Sequence, residues 1–440
     1  MLQISQQPST TGSTIESTVE STDKSTDKST DKLQGAEKLQ QKTNLLVVGS
    51  VALDTAATLG STHKLLDSNI GTITNSIGGV GYNIALASNY TTSLPTTKFM
   101  SRIGRDFAGD TISSQLKDKI VTNLTFGKGN TAQYVCTHNV DGDLIIACAD
   151  MSIIEEPSFA DDIIQEIVND EPRVVVLDCN LSVQSLNKII QHVPFNKSIS
   201  GKPQIVVEPT SHVKAKRLAE TDLSVFPHNA INLITPTVAE LNTIFDTMSQ
   251  NGKFEDYDHW FPVVDAMGVD SIMREKLLNL DKKHNLKLWE AGVFQQSFHM
   301  LPYFQNILVK LGDKGVLLFS LVTNLDDLKS IPTTSVYRPI TSVTNNTNNK
   351  VGVLVEYFPI PKENEKLKIV NVTGAGDTLV GYLAAKLANA HNSHEDNWLN
   401  CEIRSCEQVW SKWETIYKAQ LASGLTLQNS KSVSPEIANL

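Results

Sequence analysis

The stretch Ile369-Val370-Asn371-Val372-Thr373-Gly374-Ala375-Gly376-Asp377-Thr378-Leu379-Val380-Gly381 constrains this chain more than any other. It runs from a short apolar segment through a small-residue turn into a helix. Leu379, Val380, Leu383, Ala384 and Leu387 recur at helical spacing. Gly374, Ala375 and Gly376 leave the backbone amides at the helix start uncovered, and glycine lets a ligand come close. Unpaired N–H groups and the positive end of the helix dipole make an anion site there. Asp377 falls in the first helical turn, beside that site. The dipole favours an acid at this place in any helix, so the aspartate alone does not define a chemistry.

Upstream, apolar runs that end in polar residues repeat along the chain. They are Leu45 to Ser50, Val174 to Ser182, Ile205 to Ser211 and Leu233 to Glu240. This is a β-α-β rhythm, which builds a mostly parallel sheet with ligands beyond the strands' carboxyl ends. Asp54 follows the first run, where α/β folds place ligands and where an aspartate can equally serve a turn or cap. Gly78 and Gly79 open a second apolar helix, with Asn83 one turn further on. Between Thr131 and Asp150, two β-rich runs flank Asp141-Gly142, a hairpin signal. Ile307 to Leu318 reads as a strand, a turn bearing Gly312 and Gly315, and a second strand. Residues 250–305 are helical in character, and their Trp260, Phe261 and Trp289 read as core. The Asn/Thr-rich stretch within 323–350 reads as a surface insertion.

The first 42 residues differ in kind. Ser-Thr-Asp-Lys is repeated three times from Ser21 to Lys32, and apolar residues are sparse. Little is available there to offset the cost of ordering the chain, so a disordered low-complexity tail is expected. It lacks the apolar core of a secretory signal and holds acids but no Arg, so the cytoplasm is the expected compartment. The five cysteines form no CxxC pair, which fits a reducing compartment. A net charge of −10 argues against a nucleic-acid polymer as partner. No apolar run is long enough to span a membrane. The glycine clusters do not form GxGxxG after the first strand, which argues against a dinucleotide-binding oxidoreductase.

Thr-Gly-Ala-Gly-Asp-Thr at the head of an apolar helix closely resembles the C-terminal signature of the ribokinase-like (PfkB) sugar and nucleoside kinases. Gly78-Gly79 with Asn83 resembles that family's N-terminal signature. Three strand ends look like its pseudouridine kinase branch: Asp178-Cys179-Asn180-Leu181-Ser182, Glu208-Pro209-Thr210-Ser211 with Lys214-Ala215, and Pro236-Thr237 with Glu240-Leu241. The resemblance covers about residues 43–435.

It implies a three-layer α/β/α core with a mostly parallel sheet and a small β-sheet lid, built from about 55–77 and 131–150. It implies that ATP phosphorylates the ribose 5′-hydroxyl of pseudouridine. Asp377 would be the general base, and Gly374, Ala375 and Gly376 the anion hole. Asp54, Gly78, Gly79, Asn83 and Asn180 would hold the substrate. Thr373, Gly312, Gly315 and Lys214 would lie on the nucleotide side, and Glu240 would organise Mg²⁺. Relatives often dimerise through the lid, which implies a homodimer.

Three departures stand out. Val80 follows the two glycines where ribokinase has Lys. Thr237 stands for Asn near the metal. Asn371 replaces an Asp in a loop that often holds a monovalent cation, leaving K⁺ open. Two alternatives remain: a ribokinase or other nucleoside or sugar kinase, and a non-catalytic regulatory protein on the same fold.

Overall fold

Short, β-branched, fully buried runs such as Leu45–Val48 and Val174–Asp178 suit strands covered on both faces. The computed structural model describes residues 43–440 except 63, 65, 93–95, 197–198, 200, 324–334, 345–350, 391–397, 401 and 403–404. The expected tail at 1–42 and most of the expected insertion lie outside the described residues.

In chain order the strands are β1 (Leu45–Val48), β2 (Ala52–Leu59), β3 (Gly71–Gly78), β4 (Thr97–Ile103), β5 (Val121–Phe126), β6 (Gln133–His138) and β7 (Leu144–Asp150). There follow β8 (Val174–Asp178), β9 (Gln204–Glu208), β10 (Ile231–Ile234), β11 (Phe304–Lys310), β12 (Val316–Val322), β13 (Ile340–Val343) and β14 (Gly352–Phe358). The helices are α1 (Val80–Thr91), α2 (Phe107–Leu116), α3 (Phe159–Asp170), α4 (Val183–His192), α5 (His212–Ala219) and α6 (Val238–Gln250). After them come α7 (Trp260–Ala266), α8 (Ser271–His284), α9 (Val293–Met300), α10 (Ala375–Asn389) and α11 (Cys406–Leu427).

Ten strands form one sheet in the order β13-β14-β12-β11-β10-β9-β8-β1-β4-β5. From β11 through β5 every pairing is parallel, whereas β12, β13 and β14 join antiparallel. One apolar layer gathers residues of α3, α4, α5, α6, α8 and α9 against one face. The other gathers α1, α2, α10 and α11 against the opposite face. The sheet is therefore sandwiched between helices, as an α/β three-layer core requires. Four further strands form a smaller, separate sheet in the order β3-β2-β6-β7. Asp141-Gly142 makes the hairpin between β6 and β7, where Asn139 accepts from the amides of Asp141 and Asp143.

Strand β13 lies inside the stretch expected as a surface insertion, and it extends the main sheet by one edge strand. The apolar residues before the glycine turn are not a strand. Ile369, Val370 and Val372 are exposed, and the amides of Val370 and Asn371 are held by the Leu427 carbonyl.

Two features of this frame position the site. First, the sheet order reverses between β1 and β8, so a crevice opens at their carboxyl ends. Second, α1 and α10 cross at very close range. A Cβ on Gly381 would lie 2.5 Å from the Ile84 carbonyl oxygen and 2.7 Å from the Ala87 Cβ. Ser88 Oγ donates to the Gly381 carbonyl at 2.9 Å across the same crossing. Gly381→Ala must push the helices apart, and such overpacking costs about 1–3 kcal/mol. Urea denaturation checks this expectation, with an unchanged midpoint as the contrary result.

Candidate active site

The α1–α10 crossing brings the starts of the two helices together. Asn83, in the first turn of α1, donates from Nδ2 to Asp377 Oδ2 at 2.8 Å. Asp377 lies in the first turn of α10, just after Gly374, which caps that helix with φ +81°. Only glycine adopts this conformation without strain. A side chain at Gly374 would also collide with the Ser432 carbonyl. The chain after α11 thus closes the turn from behind. Ser423 Oγ donates to the Ala375 carbonyl at 2.8 Å, and the Thr378 and Thr426 hydroxyls pair at 2.9 Å. The first amides of α10 have no capping side chain. Amides so placed can receive an anion.

Burial pushes the Asp377 carboxyl up to about 7. The Asn83 hydrogen bond pulls it down, Glu208 and Asp178 push it up, and Lys310 pulls it down. A carboxyl poised near neutrality beside an anion site is suited to accept a proton as negative charge is transferred. Asn83 is buried, and among the described residues its Oδ1 has no hydrogen-bond partner. That oxygen can accept from a substrate hydroxyl while Nδ2 holds the aspartate.

On the small sheet, Asp54 is half-buried, and burial raises its carboxyl to about 6. Among the described residues nothing donates a hydrogen bond to it. A side chain at Gly78 would strike this carboxylate. Gly79 has φ +112°, and a Cβ there would sit 2.5 Å from the Ser50 carbonyl oxygen. Both glycines therefore keep backbone bare between Asp54 and Asn83.

The crevice between β1 and β8 is filled by polar groups. The buried Asp178 carboxylate accepts from the Ser50 amide at 2.9 Å, the Ser50 hydroxyl at 3.0 Å and the Gly81 amide at 3.0 Å. The Asn180 amide adds 3.0 Å and Asn180 Nδ2 adds 3.1 Å. Asn180 Oδ1 accepts from the Lys214 ammonium. Lys214, expected on the nucleotide side, thus has its ammonium on Asn180. Burial lowers its pKa.

Glu240 and Thr237 form a capping box. The Thr237 amide donates to Glu240 Oε2 at 2.7 Å, and the Glu240 amide donates to Thr237 Oγ at 3.3 Å. Gly312 and Gly315 shape the β11–β12 turn, both at positive φ, with open space beside Gly312. Thr373 is exposed, and its amide donates to Asn371 Oδ1 at 2.9 Å.

Two charged residues at the site were given no role from the sequence, Glu208 standing only in a strand-end motif. Lys310 ends β11 and donates from Nζ to both Glu208 oxygens, at 2.8 and 2.9 Å. Glu208 ends β9 and also accepts from Thr235 Oγ at 2.6 Å. Both are polar residues closing apolar strands, which is the signal that marks ligand-side positions in such sheets. Thr210, just beyond, is a β-branched residue held at φ +73°. Its hydroxyl receives the Cys179 amide at 3.1 Å, tying the ends of β8 and β9 together.

Solved structures share this architecture. A ribokinase from Giardia lamblia superposes with a TM-score of 0.57, covering 90% of this chain and 98% of that one at 14% identity. An Arabidopsis thaliana ribokinase, solved with ribose and ATP, gives 0.53 over 90% and 98% at 18% identity. The fold is that of the ribokinases. In sequence, the chain is 29% identical to a Schizosaccharomyces pombe pseudouridine-metabolizing bifunctional protein, over 92% of its own length. It is 26% identical to an Escherichia coli pseudouridine kinase over 47% of its length. The chain spans 48% and 62% of the lengths of these two relatives. No family model matches it. The Escherichia coli relative carries the branch name that the strand-end motifs resemble, and the Schizosaccharomyces pombe relative is named for pseudouridine metabolism.

Were Asp377 the proton acceptor of a reaction, only its carboxylate form would serve, and kcat/KM would rise with pH through a bend near 7. The Asn83 hydrogen bond favours the charged form. Asn83→Ala therefore moves the bend to higher pH, which a pH–rate profile of both proteins checks. A bend that stays fixed or moves down contradicts it.

Proposed function

We propose that the chain is an ATP-dependent kinase that phosphorylates the ribose 5′-hydroxyl of pseudouridine, giving pseudouridine 5′-phosphate. The observation that carries this reading is the Asp377 carboxyl, raised to about 7, beside the uncapped start of α10. The relatives named above support pseudouridine as acceptor.

In this mechanism Asp54 accepts hydrogen bonds from two ribose hydroxyls, and Gly78 and Gly79 let the sugar lie against bare backbone. Asn83 Oδ1 accepts from a further hydroxyl, and Asn180 faces the same substrate. The 5′-oxygen attacks the γ-phosphorus as its proton passes to Asp377. The bond from phosphorus to the β,γ-bridging oxygen breaks, and its electron pair leaves with ADP. The amides of Ala375, Gly376 and Asp377 receive the charge gathering on the transferring group. Thr373 and the Gly312–Gly315 turn border the nucleotide.

Among the described residues, no group of three or more His, Cys, Asp or Glu side chains could hold a metal by itself. Mg²⁺ nonetheless fits, because it binds kinase sites through one or two carboxylates and substrate phosphates. Glu240 keeps Oε1 outside its capping box and would be the carboxylate that holds the ion. When bound, the ion supplies charge neutralisation on the phosphate oxygens. With Asn371 in place of Asp, K⁺ activation is left to measurement.

The small sheet acts as a lid that excludes water, which would otherwise turn transfer into ATP hydrolysis. Ile73, Val135, Leu144 and Ile146 are exposed on it, and a second copy of the chain would cover them.

Two measurements test the reading. ADP release is assayed with pseudouridine, uridine, ribose or no acceptor, and turnover is expected with pseudouridine. Turnover with ribose or uridine instead keeps the kinase and replaces the acceptor. In the second, Asp377→Asn lowers kcat by about 10²–10⁴, the usual worth of a positioned base. Near-wild-type turnover in that variant removes the mechanism.

A further inference from the structure

We propose that Lys310 is a further catalytic residue, an ammonium beneath the first turn of α10 that contacts the transferring phosphoryl group. The inference rests on the kinase reading above and adds to it a protein-borne cation in the anion site.

The geometry comes from three neighbouring strand ends. Lys310 is the last residue of β11 and Glu208 the last of β9, with β10 between them. The Lys310 amide donates to the Pro236 carbonyl at 2.8 Å, which fixes its backbone to the segment after β10. Its ammonium has three donors. Two go to Glu208. Glu208 is itself held by Thr235, so the carboxylate fixes the ammonium's position.

Above the pair lies Gly376, in the turn whose amides form the anion hole. A Cβ placed on Gly376 would be only 3.5 Å from Lys310 Nζ. The glycine's φ is ordinary, so its backbone does not require glycine there. The ammonium therefore lies at about van der Waals distance from the Gly376 turn. The Lys310 side chain is 12% exposed and that of Glu208 3%, so the lysine is the more open of the two.

Charge supports the same role. Asp377, Glu208, Glu240 and Asp178 surround this turn, and Lys310 feels the first three directly. A triphosphate approaching such a ring of acids needs a cation. Arg217 of the neighbouring helix is committed to Glu155 and to backbone carbonyls after β8. A buried ion pair is no more stabilising than an apolar pair of similar size, so stability alone does not account for it. As the 5′-oxygen binds phosphorus and the bridging oxygen departs, charge spreads over the equatorial oxygens. The third N–H of Lys310 and its full positive charge meet that charge, while the proton still goes to Asp377.

Lys310→Met leaves Glu208 buried and unpaired and can unfold the chain. The decisive variant is therefore Lys310→Met with Glu208→Gln, which removes both charges together. Its melting temperature is compared with wild type to establish folding. At saturating ATP and Mg²⁺, kcat with pseudouridine is expected to fall by about 10²–10³, the scale of one lost transition-state donor. KM for pseudouridine is expected to stay within about threefold, since the lost contact is to phosphate and not to the nucleoside. Calorimetry supplies a readout that a structural role would not move. The preference of the protein for a non-hydrolysable ATP analogue over ADP is expected to shrink about tenfold, as one charge-assisted contact to the terminal phosphate is lost. A double variant with wild-type kcat, or with an unchanged analogue-to-ADP preference, overturns the proposal. If wild type itself fails to turn over pseudouridine while the double variant still loses the preference, the acceptor reading fails and the Lys310 assignment stands.

Discussion

The close crossing of α1 and α10 is the constraint on which the rest depends. Gly381 allows it, because any larger residue would meet the Ile84 carbonyl. With the helices at that distance, Asn83 and Asp377 share a hydrogen bond although 294 residues separate them in the chain. Each helix begins at a positive-φ glycine, Gly79 or Gly374. Two bare helix starts thus converge on one carboxyl, and burial of that carboxyl raises its pKa toward neutrality. Packing, backbone conformation and acid–base chemistry are set by the same few small residues.

The sheet supplies the second half of the arrangement. Parallel strands deliver their last residues to one edge, and here three of those residues, Asp178, Glu208 and Lys310, carry charge. Asp178 pins the loop after β1 through Ser50 and Gly81, while the Lys310–Glu208 pair forms a floor under α10. Buried acids of this number would repel a phosphate without compensation. In the proposed reaction, amides at the helix start, an ammonium and a phosphate-bound cation would answer that in different ways.

Much of this was legible in the residue string. The apolar runs at Leu45 and Val174 became buried parallel strands because only strands suit such short β-branched segments. Gly374-Ala375-Gly376 heads a helix as its spacing implied. Asn83 was expected to meet a substrate hydroxyl, yet its contact with Asp377 could not be read, since it arises from a helix crossing that no local pattern encodes. Lys310 and Glu208 looked like ordinary strand-end polar residues, and their meeting depends on strand order. The capping-box role of Glu240 follows the Thr-x-x-Glu spacing directly. Lys214 was expected on the nucleotide side, and its ammonium goes to Asn180, a contact between separate strand ends that the residue string does not encode. Strand β13 lay hidden in a polar stretch because an edge strand needs only partial burial.

The central claim is that Asp377 is held as a poised base by burial and by Asn83. The most direct measurement is its own titration, followed by carbon-13 NMR of labelled aspartate carboxyls with Asp377→Asn as the assignment control. The account predicts a carboxyl titrating near 7 that vanishes in the variant. An Asp377 carboxyl that titrates near the ordinary aspartate value of about 3.9 would contradict it.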